Sequence, residues 1–138
     1  MRRFAALLAV VFLAACGTEI EQSTRPSSVA GTYSLRTYGG RSLPALVSTD
    51  TSGVLEIVGG TLVIGSDQTW SETQDYKLTK GARVQSASFG SSGSWVFMRD
   101  FAFMSFNDKV YNYQFSGTVA GGTVTLDLEN GSALVYSR

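Results

Sequence analysis

Hydrophobic and polar positions divide this chain into three parts. Phe4 to Ala15 is an unbroken run of twelve apolar residues behind Arg2 and Arg3. Gly17 to Ser28 is polar, has no apolar period and contains one proline, the composition of a flexible tether. From Val29 onward, no eleven-residue window keeps apolar residues at i, i+3, i+4 and i+7 without a glycine or turn cluster breaking it, so no helix is predicted. Short alternating runs predict strands instead, over Gly31–Tyr38, Val54–Ile64, Thr69–Leu78, Ala82–Phe89, Ser94–Arg99, Phe101–Phe106, Val110–Val119, Thr123–Glu129 and Ala133–Ser137. Turn signals recur about every ten residues between them, which suits an antiparallel sandwich or barrel.

The clearest alternation sets Tyr111, Tyr113, Phe115, Gly117 and Val119 on one face and Asn112, Gln114, Ser116 and Thr118 on the other. Val124, Leu126 and Leu128 repeat it, as in a sheet wetted on one side. Within Val54–Ile64 the apolar parity slips between Leu55 and Ile57 and Leu62 and Ile64, so Gly59-Gly60 marks a bulge, a sharp bend or a separate hairpin. Asn130-Gly131 suits a two-residue type I′ turn. Gly90-Ser91-Ser92-Gly93 reads as a loop, and Arg41 to Ser52 as the longest loop. Both faces of Ser94–Arg99 and of Phe101–Phe106 are apolar. Such strands are either covered on the outside or point large side chains into a cavity.

A membrane-spanning helix needs about 20 apolar residues, so the twelve near the start are too few to remain as a span. They match the apolar core of a secretory signal, with small residues at its end. That end, Leu13-Ala14-Ala15-Cys16-Gly17, resembles the bacterial lipoprotein signal. The resemblance implies cleavage before Cys16, a diacylglyceryl group on its thiol, and a new amine open to acylation. One acyl chain holds a protein only marginally, whereas two or three anchor it stably. Gly17 stands where an aspartate would retain such proteins at the inner membrane. The same resemblance therefore implies an exported, lipid-anchored protein, at the outer membrane and facing the periplasm if the cell has two membranes. Residues 1–15 are then the leader, 16–30 the lipidated cysteine and tether, and 31–138 one globular domain. A dozen tether residues of coil reach roughly 20 Å.

Charge and composition narrow the partners. Eleven basic residues balance eleven acidic ones, and loss of Arg2 and Arg3 with the leader leaves nine against eleven, a net charge of −2. There is no basic stripe for nucleic acid. The single cysteine is taken by the anchor, so stability must come from core burial rather than a disulfide. Histidine is absent altogether, which removes the commonest general base and metal ligand. No metal or other cofactor is expected, and a monomer is.

The domain also resembles the lipocalins and fatty-acid-binding proteins. Gly31-Thr32-Tyr33-Ser34-Leu35 opens it much as Gly-x-Trp opens those proteins, and Val135-Tyr136-Ser137-Arg138 closes it like their last strand. Gly60 to Ile64 running into Asp67 to Trp70, then Gly117 to Val119, are similar to small lipocalin-like domains of bacterial lipoproteins. Tyr33 replaces the tryptophan. Leu134 lies two residues before Tyr136, so the Arg-x-Tyr clamp for a fatty-acid carboxylate is missing. The resemblance implies an all-β, antiparallel up-and-down barrel of about eight to ten strands, with both termini at one end and Arg138 stacked near Tyr33. Closure would also remove exposed strand edges.

No constellation for catalysis emerges. Glu72 and Asp75 differ in parity and face opposite ways, while Asp127 and Glu129 share the polar face. These carboxylates are expected to be solvated. Asp67 and Asn107-Asp108 read as turn residues. The Gly90–Gly93 run is one residue short of a nucleophile elbow and precedes no helix, and no serine stands three residues before a lysine. The protein is therefore expected not to be an enzyme. Aromatic residues carry the one functional hint. Either they fill the barrel, or Trp95, Phe97, Tyr111, Tyr113 and Phe115 line a mouth for a small hydrophobic or amphipathic ligand. A filled barrel would instead display loops to an envelope protein or a protease.

Overall fold

The computed structural model describes residues 29–98 and 103–138. The leader, Cys16, Gly17 and the tether to Ser28 lie outside the described residues. So do residues 99–102, on which one end of each of two expected strands falls. The regular elements are ten strands: β1 (Gly31–Tyr38), β2 (Arg41–Ser42), β3 (Ala45–Asp50), β4 (Gly53–Ile64), β5 (Thr69–Lys80), β6 (Arg83–Met98), β7 (Phe103–Asp108), β8 (Tyr113–Ala120), β9 (Thr123–Asp127) and β10 (Ala133–Ser137). They run antiparallel in the order β2-β1-β10-β9-β8-β7-β6-β5-β4-β3. A further pairing of β1 with β4, from Gly31↔Ile64 to Ser34↔Thr61, closes an eight-stranded barrel and leaves β2 and β3 as extra strands. The sandwich alternative falls, and the architecture is consistent with a calycin-like barrel.

Both termini of the domain lie at one end. The Arg138 guanidinium sits over the Tyr33 ring, 5.0 Å from its centroid, and its Nη1 donates to Ala30 O at 3.4 Å. The Tyr33 hydroxyl donates to Val29 O at 2.6 Å, which pins the chain's entry into β1. A packed core fills the barrel above this end, built from Tyr33, Leu62, Ile64, Trp70, Trp95, Met104, Phe106, Val124, Leu126, Leu134 and Tyr136. Phe115 stacks on Phe106 at 5.0 Å, and Trp70 meets both rings edge-on.

Local chemistry explains most element boundaries. The β4–β5 ladder shifts register between Ile57 and Gly59, so Leu55 and Ile57 and then Gly60, Leu62 and Ile64 all face inward. The parity slip is thus a bulge inside one continuous strand. The tight type I′ chemistry lies at Gly39-Gly40 (φ 55° and 76°) and Gly121-Gly122 (φ 55° and 80°), where two glycines meet the demand for paired positive φ. At Asn130-Gly131 only the glycine has positive φ, and the loop from Leu128 to Ser132 is longer than a two-residue hairpin. Gly131 N–H closes a turn onto Leu128 O, and Asn130 Oδ1 accepts from Ser132 N–H.

Three further sequence expectations are corrected. Gly90 to Gly93 is no loop but the middle of β6, paired residue for residue with Thr73 to Trp70. Arg41 to Ser52 is not a long loop; it contributes β2 and β3. The strand expected from Val110 begins only at Tyr113, because Lys109 to Asn112 form a turn. Asp108 Oδ1 caps that turn, accepting from Val110 N–H (2.7 Å) and Tyr111 N–H (3.0 Å).

The β4–β5 turn yields a test. Gln68 holds φ at 66°, a conformation that favours glycine over a side chain with a Cβ. Its backbone ties it to the barrel, with Trp95 N–H donating to Gln68 O at 2.9 Å. Gln68→Gly is expected to stabilise the fold by about 0.5–1 kcal/mol, read as a rise in urea midpoint at unchanged slope.

Candidate functional site

Strand length creates the site. β6 runs sixteen residues, but β7 pairs only with Gly93–Met98. The last rung on that side is Lys109 N–H to Ser92 O. The half of β6 from Arg83 to Ser92 therefore extends past the barrel wall with β5 beside it, and β4 and β3 complete a four-stranded wing. The wing rises from the barrel end opposite the chain termini.

Between its inner face and the β7–β8 turn lies a cavity of about 870 Å³. That volume is within the range typical of small-molecule sites, roughly 300–1,000 Å³. Small side chains leave the space. Inward positions on β6 carry Ala87 and Ser91, where a filled core would place large residues. Val47, Leu55 and Leu78 give an apolar wall. Phe89, edge-on to Tyr76 at 5.6 Å, and Tyr111 add rings that are 56% and 58% exposed.

The base is polar. Glu72 pairs in register with Ser91, two residues along from the Trp70↔Gly93 rung that caps the core, and is only 9% exposed. The Tyr136 hydroxyl donates to Glu72 Oε1, and the Tyr76 hydroxyl donates to Gln74 Oε1. Burial pushes the Glu72 carboxyl above its ordinary pKa; hydrogen bonds from Tyr136 and Gln74 oppose that, and the Asp108 charge adds to it. Burial, followed by the neighbouring Glu72 charge, also holds the Tyr136 hydroxyl far above the usual range for a phenol. Beside this group, Ser91 Oγ donates to Asp108 Oδ2, and Asp108 is fully buried.

The carboxylates thus divide. Asp127 and Glu129 are exposed, and Asp67 serves its turn by accepting from Thr69 N–H and Oγ1. Glu72 was expected in solvent and instead faces inward. Asp108 does the turn work expected of it, but from a buried position.

The five aromatic residues expected around a mouth are not together. Tyr111 and Tyr113 line the cavity. Trp95 is buried in the packed core near the terminal end and donates to Gly65 O at 3.2 Å, with Phe97 edge-on to it at 5.2 Å. Phe115 belongs to the stack with Phe106 and Trp70. Glu72, Gln74, Tyr76 and Phe89 take their place as lining residues. Parity was the available signal: Glu72, Gln74, Tyr76 and Leu78 share the face of Trp70.

Among the described residues, no group of three His, Cys, Asp or Glu side chains could hold a metal ion. No family model, curated protein or solved structure matches the chain.

Proposed function

We propose that this protein is a lipid-anchored module of the cell envelope whose barrel binds a small hydrophobic or amphipathic molecule and catalyses no reaction. The cavity of about 870 Å³ carries the proposal, since it joins apolar and aromatic walls to a few buried polar groups at one end. The anchor rests on the leader sequence and the lone Cys16. Both domain termini lie at the end opposite the cavity, so attachment through the N-terminus leaves its mouth unobstructed. The packed core beneath it gives the site a rigid floor.

Mass spectrometry of the protein from its own host tests both halves. The intact chain is expected to begin at Cys16 and to carry a diacylglyceryl mass. A Cys16→Ser form is expected to leave the membrane and, under native conditions, to retain a small molecule. An uncut, unmodified chain would defeat the anchor, and a consistently empty barrel would defeat the ligand.

A second function, display of a surface to an envelope partner or protease, draws on the outer face of β6 and β7. There Val96, Met98 and Phe103 stand about half exposed. Loss of partner capture in a Val96→Ser, Phe103→Ser double variant, with ligand retention unchanged, would favour it.

A further inference from the structure

The charge of the cavity says more about its ligand than its size does. Glu72 lines its base with the buried Asp108 beside it, and among the described residues no lysine or arginine lines it. Of the lysines on β5, Lys77 points to the opposite face and pairs with Glu56 at 2.7 Å, and Lys80, paired with Arg83, stands beyond Leu78 at the tip of the wing, outside the lining. Asp108 is saturated by Ser91 and by the two backbone N–H groups of its turn. Glu72 is the carboxylate that borders the space.

A carboxylate ligand would bring a further negative charge into this low-dielectric corner, with no cation to receive it. A neutral hydroxyl would return one hydrogen bond to Glu72 for the water it displaces, whereas a cation with hydrogens to donate returns hydrogen bonds and an opposite charge together. Six residues separate Glu72 from Leu78 along β5, about 20 Å of strand and enough for an extended alkyl chain. Leu55, Leu78 and Phe89 lie along that path, and Tyr76 and Tyr111 offer ring faces that attract a cation as well as an apolar body.

We propose that the cavity selects an amphiphile with a protonated amine head, its ammonium set at Glu72 and its apolar chain running toward Leu55 and Leu78. This rests on the ligand-binding function above and narrows it to one class of head group.

All strands of the closed ladder lie after residue 30, so residues 16–138 with Cys16→Ser carry the whole barrel without an acyl chain of their own. Calorimetric titration of that protein with dodecylamine, dodecanol and dodecanoate, each below its micelle concentration, tests the proposal. Dodecylamine is expected to bind at least tenfold more tightly than dodecanol, with dodecanoate weakest. Glu72→Gln, which can still accept from Tyr136, is expected to abolish the preference for dodecylamine over dodecanol. Ala87→Lys, which puts a cation on the neighbouring strand of the same wall at an exposed position, is expected to reverse the order in favour of dodecanoate. It decides the matter should Glu72→Gln fail to fold. Equal affinities for the three probes, or an amine preference that survives Glu72→Gln, would overturn the head-group assignment while leaving the cavity a binding site. Failure of all three to bind would overturn the binding function itself.

Discussion

Replacing Gly93 with alanine is expected to destabilise the barrel by about 3 kcal/mol or more, through overpacking and a lost indole hydrogen bond. Gly93 is held between β5 and β7, opposite Trp70 on one side and Asp108 on the other. A Cβ there would stand 1.8 Å from Asn107 O and 3.0 Å from Trp70 Nε1. The first obstacle is backbone, so relief requires the β6–β7 seam to part. The second is the group that donates to Ser94 O at 3.1 Å and Asn107 O at 3.3 Å, so the same displacement leaves a largely buried N–H without its partners. Gly90, three residues earlier on the same strand, is the control, because a Cβ there would meet only Glu72 O at 3.7 Å. Gly90→Ala is expected to be neutral or to stabilise by up to about 1 kcal/mol. Thermal or urea melts of the two variants measure the contrast. A Gly93→Ala protein that melts within a few degrees of the parent would show that the seam can yield.

The same pair of glycines explains what the sequence concealed. Gly-Ser-Ser-Gly has the local composition of a turn, and nothing in it signals a strand. It is extended because Trp70 to Thr73 on β5 supply a ladder partner, and because close approach of Asn107 tolerates only glycine at position 93. Tertiary context overrides local propensity here. Where alternation involved large residues, as in Val124 and Leu126, the inward face was legible at once. The bulge at Gly59 was legible too, since a parity slip has few physical causes. β3 was missed because only one of its inward positions, Ala45, is fully buried, and the strand covers the wing rather than the core.

The site was harder to read for a related reason. A cavity is marked by small residues where large ones are due, and Ala87 and Ser91 resemble loop residues in one dimension. Large aromatics drew attention instead, and most of those, Trp95, Phe97 and Phe115 among them, serve packing. Tyr111 and Tyr113 reach the cavity because Asp108 caps the turn that presents them. Glu72 looked like solvated surface because a lone carboxylate on a polar strand usually is. Its partner Tyr136 lies 64 residues away, so only closure of the barrel brings the two together.

Glu72→Gln is expected to make the protein more stable at neutral pH and to flatten a decline in stability that the parent shows as pH rises. Burial raises the Glu72 pKa above its ordinary value of 4.5, so the folded state holds this proton more tightly than the unfolded chain does. Its contribution is fully present below pH 4.5 and is lost as pH climbs through the raised value, where a desolvated charge forms beside Asp108. Glutamine keeps an oxygen for the Tyr136 hydroxyl and never ionises. The two proteins should therefore differ little near pH 4, and the variant should lead by an amount on the order of 1 kcal/mol at pH 8. Asp67 acts with the opposite sign. Its hydrogen bonds from Thr69 depress its pKa below 3.8, so its effect is confined to more acid solution and is common to both proteins. Urea midpoints at four pH values between 4 and 8 read the difference directly. A gap that stays constant across that range would mean that Glu72 has the same proton affinity folded and unfolded, and that the carboxylate at the base of the cavity is solvated after all.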